Sequence, residues 1–393
     1  MDDFETSLVP FARALDTIPS STFDANGSDT IEPSSSGSQS DNTRSPKTTF
    51  PANGSLLDWH VLAIASLASK LTYDPFGSTI RLQNVVENIY CLPTIGHGAS
   101  FTVKAHDASK FSMADKRRLD DLGVSGIVLK RLRHQSSSTS DDANRLAAIL
   151  FELRVLTHKP LHTHQNIVKF IGLLWEGDPL GRDLLWPILL MERAEYGSLV
   201  QFQQRRFTLR YQTKRDLCAD VAAGLDALHV CGIVHGDVKN ENILIFGHRD
   251  RGFIAKVADF GCAVLEQREL DERTTALGGT PPWNAPEFRD SKLARASIKA
   301  TDVYSYGFVV WRVMIDGRDP FESFHFDNVG KLATIAAWKE QDELVEKAIW
   351  SLASQPESDV LAEEVCSILE ATLQAVPSKR DLKHVLQTFD REA

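Results

Sequence analysis

This sequence has no excess of positive charge. Its 43 lysines and arginines face 53 aspartates and glutamates, a formal net charge of −10 over 393 residues. A general nucleic-acid binder needs a basic stripe, so nucleic acid is not an expected partner. A disulfide framework is also missing. Five cysteines, an odd number without tight spacing, point to a reducing compartment. Cys262 among them reads as a small core residue. No run approaches the roughly 20 apolar residues that span a bilayer, so membrane insertion is not expected. The first residues are acidic and include Pro10, unlike a signal peptide. Asp2 is not the glycine that myristoylation requires, and Arg391-Glu392-Ala393 is not a prenylation signal. The cytoplasm or nucleus is the expected compartment, and the oligomeric state stays open.

Apolar residues are scarce between positions 20 and 55, where Ser, Thr, Asn, Gly, Asp and Pro dominate. Such a stretch buries too little surface to offset its chain entropy, so residues 1–55 are expected to be a disordered tail. Phe4, Leu8, Phe11 and Leu15 recur at helical spacing within it, with Pro10 between them. Residues 56–90 read as an N-terminal extension, partly helical over 56–71. From residue 91 to about 390 the pattern becomes that of one large domain.

Within that domain, residues 99–103 and 127–130 read as strands, followed by a polar loop over 134–142. Leu146, Ile149, Leu150, Leu153 and Leu156 give an apolar face to a helix over 144–157. Residues 167–174 and 187–191 read as two more strands. Leu217, Val221, Leu225 and Leu228 then line one helical face, and the remainder is helical. A strand-rich first part followed by a helical remainder predicts an α+β protein.

The most informative residues follow that helical face. His235-Gly236-Asp237-Val238-Lys239-Asn240-Glu241-Asn242 precedes Asp259-Phe260-Gly261, and Ala285-Pro286-Glu287 comes later. In order and spacing these blocks resemble the catalytic loop, metal-binding turn and activation-segment end of eukaryotic protein kinases, serine/threonine type. The resemblance covers about three quarters of the chain. It implies a bilobal fold, with a small antiparallel-sheet N-lobe plus one helix and a larger, mainly helical C-lobe. It also implies ATP and Mg2+ as cofactors, and a protein substrate carrying a Ser/Thr hydroxyl.

Site residues follow from the same resemblance. Asp237 would accept or orient the proton of the attacking hydroxyl, and Lys239 would neutralise charge on the moving phosphoryl group. Asn242 and Asp259 would bind magnesium. Lys130, in Gly126-Ile127-Val128-Leu129-Lys130, would pair with the α- and β-phosphates, with Glu152 as its carboxylate partner. Phe260 would pack under the helix that bears Glu152. Gly96 and Gly98 match two of the three glycines of the phosphate loop, with Phe101 in place of the third, and Val103 would cover adenine. Met191 would guard the back of the adenine pocket, while Glu192 and Ala194 would meet the adenine edge through their backbones. Thr280 would bond near Asp237 and Lys239, Asp302 would brace the catalytic loop, and Arg380 would pair with Glu287.

Three departures stand out: Gly236 where the family has Arg, Asn240 where it has Pro, and Asp381 where Pro usually follows the arginine. A His-Gly-Asp triplet also occurs in aminoglycoside and choline kinases, so a small-molecule kinase is one alternative. A pseudokinase or scaffold is the other, although it would be expected to lose Lys130, Asp237 or Asp259. The missing arginine also implies activity that does not depend on phosphorylation of Thr274 or Thr275.

Overall fold

Alternating apolar residues build the first half of the molecule and helical stripes build the second. The computed structural model describes residues 60–61, 63–67, 92–97, 101–106, 113–133, 139–178, 185–205, 209–266, 279–289, 297–326, 330–353 and 358–390. The expected tail over 1–55 lies outside them, as do Gly98, Thr274 and Thr275. Of the helix expected over 56–71, residues 60–61 and 63–67 are helical, and Ile64 is buried there.

Five antiparallel strands form the first sheet: β1 (Thr94–His97), β2 (Phe101–His106), β3 (Ile127–Leu132), β4 (Phe170–Gly177) and β5 (Leu185–Glu192), in the order β1-β2-β3-β5-β4. Strand residues alternate between faces. On one face Ile127, Leu129, Ile171, Ile188 and Leu190 pack with Leu119 and Val124. Leu119 belongs to a helix between β2 and β3, α1 (Met113–Asp121), that the sequence reading did not predict. Lys169 Nζ donates to the Leu122 carbonyl just beyond it at 2.9 Å. The opposite face carries Val103, Lys130, Leu189 and Met191, since Lys130 pairs with both Val103 and Leu189.

A long helix, α2 (Thr139–Thr157), follows β3 and buries Leu146, Ile149, Leu150, Leu153 and Leu156. It begins five residues before the predicted start, so residues 139–142 are helical rather than loop. Asp141 and Asp142 occupy its first turn, where carboxylates are favoured by the positive end of the helix dipole. The polar run that reads as a loop is in part a helix start. Strand β4 likewise begins at Phe170, not at Ile167, although Ile167 still forms an isolated bridge to Val257.

The helical half has a short α3 (Lys159–His162) before it and α4 (Leu199–Gln203) at its entry. Next come α5 (Tyr211–Val230), the small strands β6 (Ile233–Val234), β7 (Ile243–His248), β8 (Gly252–Val257) and β9 (Val264–Leu265), and then α6 (Ile298–Met314). The last helices are α7 (Lys331–Glu340), α8 (Leu344–Ala353), α9 (Ser358–Thr372) and α10 (Leu382–Asp390). Leu217, Val221, Leu225 and Leu228 of α5 are all buried. Helix α6 is apolar around most of its circumference and buries Tyr304, Tyr306, Phe308 and Trp311, as a central helix does.

Two helical glycines set close approaches. A Cβ at Gly224 of α5 would meet the Asn166 carbonyl oxygen at 2.7 Å and Val257 at 2.8 Å. One at Gly307 of α6 would meet Thr372 Oγ1 at 2.5 Å and Leu373 at 2.7 Å. Alanine gains about 1 kcal/mol over glycine in a helix, whereas overpacking a filled core costs about 1–3 kcal/mol. Gly224→Ala and Gly307→Ala are each expected to lose stability, by up to about 2 kcal/mol net. The check is urea denaturation, where the midpoint should fall at unchanged slope. A raised midpoint for either variant would mean that its neighbours give way.

Candidate active site

Lys130 projects from the centre of β3, held on both sides by β2 and β5. Its ammonium donates to both carboxylate oxygens of Glu152 at 2.7 Å and to Asp259 Oδ1 at 2.8 Å. The sequence pairing of Lys130 with Glu152 is thus present as geometry, and Asp259 joins it. Lys130 is 4% exposed and Glu152 is fully buried, so each charge exists only through the other. Burial works against the Lys130 ammonium, but Glu152 and then Asp259 outweigh it and raise its pKa. Glu152 also accepts from the Phe260 backbone N–H, which ties helix α2 to the turn after β8. Phe260 is fully buried, with its ring 5.4 Å from that of His235.

Asp259 has φ 65, a left-handed backbone for a non-glycine residue, a strain of the kind found at functional sites. The Lys130 charge holds its carboxyl below the ordinary aspartate range. Its side chain remains 48% exposed.

A second cluster sits on the loop after β6. Asp237 Oδ1 accepts from Thr280 Oγ1 at 2.7 Å, and Oδ2 pairs with Lys239 Nζ at 2.6 Å. Lys239 Nζ donates to Thr280 Oγ1 at 2.9 Å, closing a triangle. Asn242 Nδ2 donates to Asp237 O at 2.8 Å and to Oδ2 at 3.1 Å. The loop backbone is braced from α6: Asp302 accepts from the N–H of His235 at 2.7 Å and of Gly236 at 2.9 Å. His229 Nε2 lies 2.9 Å from the same carboxylate. His235 Nδ1 accepts the Asp237 N–H at 3.2 Å, which assigns its Nε2 as the donor to Ala258 O at 3.0 Å. Gly236 adopts φ 76, a conformation that glycine takes without penalty.

Asn242 commits its amide nitrogen to Asp237, and Asp259 commits one oxygen to Lys130. Each keeps one hard oxygen, a donor set of the kind magnesium uses when it also keeps phosphate oxygens and water. The nucleotide-side residues are less complete. Val103 stands between Gly96 and Lys130 in the sheet register, and Met191 is buried on β5. Phe101, on the same face, holds its ring 4.3 Å from Lys130 Nζ. The backbone N–H of Glu192 is taken by Lys169 O at 3.1 Å. Ala194 follows in the hinge and accepts from the Gly197 N–H at 3.3 Å.

Sequence reading missed the side chain of Glu192. Its carboxylate takes Lys256 Nζ at 2.7 and 2.8 Å and the Lys169 N–H at 2.7 Å, a buried pair between β5 and β8. The available signal was one charge inside each of two apolar strands, Leu189-Leu190-Met191-Glu192 and Ile254-Ala255-Lys256-Val257. Cys262 is half-buried, and burial, then Asp237 and Asp259, push its thiol pKa up. It is not an activated nucleophile.

Beyond the cleft, Arg380 forms two bonds to Glu287, at 2.6 and 2.8 Å. Asp381 explains its departure from proline. Its N–H donates to Ala371 O at 2.9 Å, and its Oδ1 accepts from the N–H groups of Lys383 and His384 at the start of α10. Proline would lose the first bond and the cap. Asn240 is buried, with Nδ2 3.4 Å from Gln203 Oε1 of α4.

Removing one member of a buried ion pair leaves the other charge uncompensated. Lys130→Met is expected to cost about 3–5 kcal/mol in urea unfolding. The double variant Lys130→Met/Glu152→Gln should regain at least half of that loss, because the stranded charge is gone. Additive losses in the cycle would mean that the two residues act independently.

A family model described as Protein kinase domain matches residues 122–388, more than half of the chain. The receptor protein-tyrosine kinase CEPR1 of Arabidopsis thaliana is 31% identical over 253 residues, covering 63% of this chain and 23% of that protein. The probable serine/threonine-protein kinase drkC of Dictyostelium discoideum is 26% identical over 204 residues, covering 50% and 24%. Human receptor-interacting serine/threonine-protein kinase 1 is 29% identical over 172 residues, covering 41% and 24%. The chain spans about a quarter of the length of these relatives. With a two-part α+β architecture and the matched domain covering both clusters, the chain belongs to the protein kinase domain family.

Proposed function

We propose that this chain transfers the γ-phosphate of ATP, with magnesium, to a serine or threonine hydroxyl of a protein substrate. The observation that carries this reading is the triangle of Asp237, Lys239 and Thr280, with sides of 2.6 to 2.9 Å. It couples the loop carboxylate to the segment Gly279–Glu287, a wall on which a peptide would lie. A small-molecule kinase has no need of such a wall. The relatives' names divide between tyrosine and serine/threonine, and Lys239 with Thr280 favours the latter. Retention of Lys130, Asp237 and Asp259 together favours an enzyme over a pseudokinase.

In this reading magnesium, when bound, offsets charge on the phosphates, and Asp259 and Asn242 hold it. Lys130 orients the α- and β-phosphates, Gly96 and Gly98 would meet them through their backbones, and Val103 and Met191 flank the adenine. Asp237 orients the acceptor hydroxyl and takes its proton. Lys239 keeps a positive charge beside the transferred group, and Thr280 fixes the Asp237 carboxylate. The domain is taken to begin near residue 91, since β1 and β2 continue the sheet of β3. The cytoplasm or nucleus remains the proposed compartment.

Two predictions test the reading. Asp237→Asn and Asp259→Asn should each lower turnover at least about 10²-fold, the lower range for loss of a positioned base or metal site. Phosphate transfer to mixed histones and to a serine/threonine peptide array is the measurement. An Asp237→Asn protein retaining more than about a tenth of wild-type turnover would refute the assignment.

The other concerns regulation. Where the family's arginine precedes the catalytic aspartate, a phosphate on the activation segment neutralises its charge through paired bonds. Gly236 offers neither charge nor donor side chain. The Thr274→Ala/Thr275→Ala double variant and phosphatase-treated wild type should therefore keep kcat/KM close to that of the untreated protein. A drop of tenfold, about 1.4 kcal/mol, would assign the missing role to another basic residue, with Arg154 and Arg273 the first to test.

A further inference from the structure

Thr280 begins a tight turn. Its carbonyl accepts from the N–H of Trp283 at 2.8 Å and of Asn284 at 3.3 Å. Three of the four carbonyls that follow, those of Pro282, Trp283 and Asn284, are held from outside the turn. Those of Pro282 and Asn284 both accept from Lys339 Nζ, on α7. The one between them, on Trp283, accepts from Ser305 Oγ of α6 at 3.0 Å.

Lys339 is unusual for a lysine in being only 5% exposed. A buried ammonium is costly unless its donors are satisfied, so this one is held by the turn as firmly as it holds it. Phe308 and Tyr304 lie beneath, with ring centroids 5.2 and 5.5 Å from Nζ. Faces of aromatic rings favour a cation at that range. A cavity of about 170 Å³ separates the same turn from α7, lined by Pro281, Pro286, Leu332, Ile335 and Ala336. Across this gap Lys339 is a strut: remove it, and the turn is free to settle into the cavity.

We propose that Lys339 is a positioning residue for phosphoryl transfer. It fixes the height of the Thr280–Asn284 turn, and so the approach of Thr280 to Asp237 and the seat of the substrate peptide. This rests on the protein kinase reading above. The contacts of Lys339 named above lie on the turn and α6, so its effect should divide between the two substrates.

The test compares wild type, Lys339→Met and Lys339→Arg in the full chain, with the best peptide from a serine/threonine array as acceptor. Lys339→Met is expected to raise the peptide KM at least fivefold while the ATP KM stays within twofold. Lys339→Arg, which can still reach two carbonyls, should recover most of the loss. In parallel, hydrogen exchange at the Trp283 and Asn284 amides should quicken at least tenfold in Lys339→Met and return towards wild type in Lys339→Arg. Unchanged peptide KM and unchanged exchange at those amides would overturn the proposal. So would acceleration spread equally over α5 and α6, which marks loss of the whole fold. Should wild type phosphorylate no peptide, the kinase reading fails, and exchange at the two amides alone decides whether Lys339 holds the turn.

Discussion

Everything in the cleft hangs on the Lys130 ammonium. It is buried, and a buried charge must be paired and hydrogen-bonded to persist. Its partners come from two places far apart in sequence: Glu152 on α2 and Asp259 on the turn after β8. Satisfying one cation therefore brings the helix, the sheet and the turn after β8 into one arrangement. The Phe260 N–H adds a backbone bond to the same Glu152 carboxylate. Moving α2 outward would strand a fully buried carboxylate and a nearly buried ammonium together, so the pair makes the closed arrangement cooperative. Phe101 adds its ring over the ammonium, worth about 0.5–2 kcal/mol according to how far water is excluded.

The loop that carries Asp237 is governed by its backbone instead. Two successive N–H groups, of His235 and Gly236, point to one carboxylate on the central helix. That requires a local bend, and Gly236 supplies it with a positive φ. A side chain with a Cβ would cost about 1–2 kcal/mol in that conformation. The glycine thus removes a strain and a charge at once. Asp259, on the facing turn, keeps a comparable strain because its carboxylate is needed there.

The parts legible in the sequence were those in which chemistry and local spacing coincide. Asp237, Lys239 and Asn242 lie within six positions of one another, and their geometry follows from one short loop. The apolar face of α2 gave Glu152 its place, because five buried leucines and isoleucines around it leave one orientation. Less legible were boundaries that polar residues disguise. The start of α2 is rich in Ser, Thr and Asp, which read as loop until the helix dipole is considered. Helix α1 has few apolar residues of its own and is recognisable only through Leu119 packing on the sheet. Least legible were the long-range partners of lysines: Lys256 with Glu192, hinted at only by one charge inside each of two apolar strands, and Lys339 with two carbonyls of the turn. A lysine near the end of a helix, as Lys339 is, reads as a solvated charge, and nothing local says that it is buried.

The departures from the family pattern show which constraints are local. Asp381 replaces proline and gains an N–H bond plus a helix cap, so the change is absorbed within a few residues. Gly236 replaces arginine and leaves the backbone bonds to Asp302 intact, because those bonds use no side chain. Phe101 replaces glycine on the nucleotide face, and its ring finds a partner in Lys130. None of the three removes a charged atom from the two clusters around Lys130 and Asp237. Those clusters have no such freedom, since each charged group there is satisfied by another charged or polar side chain from a different element. A substitution inside them has to be answered at a distance, whereas one on the backbone-bound loop is answered by the chain beside it.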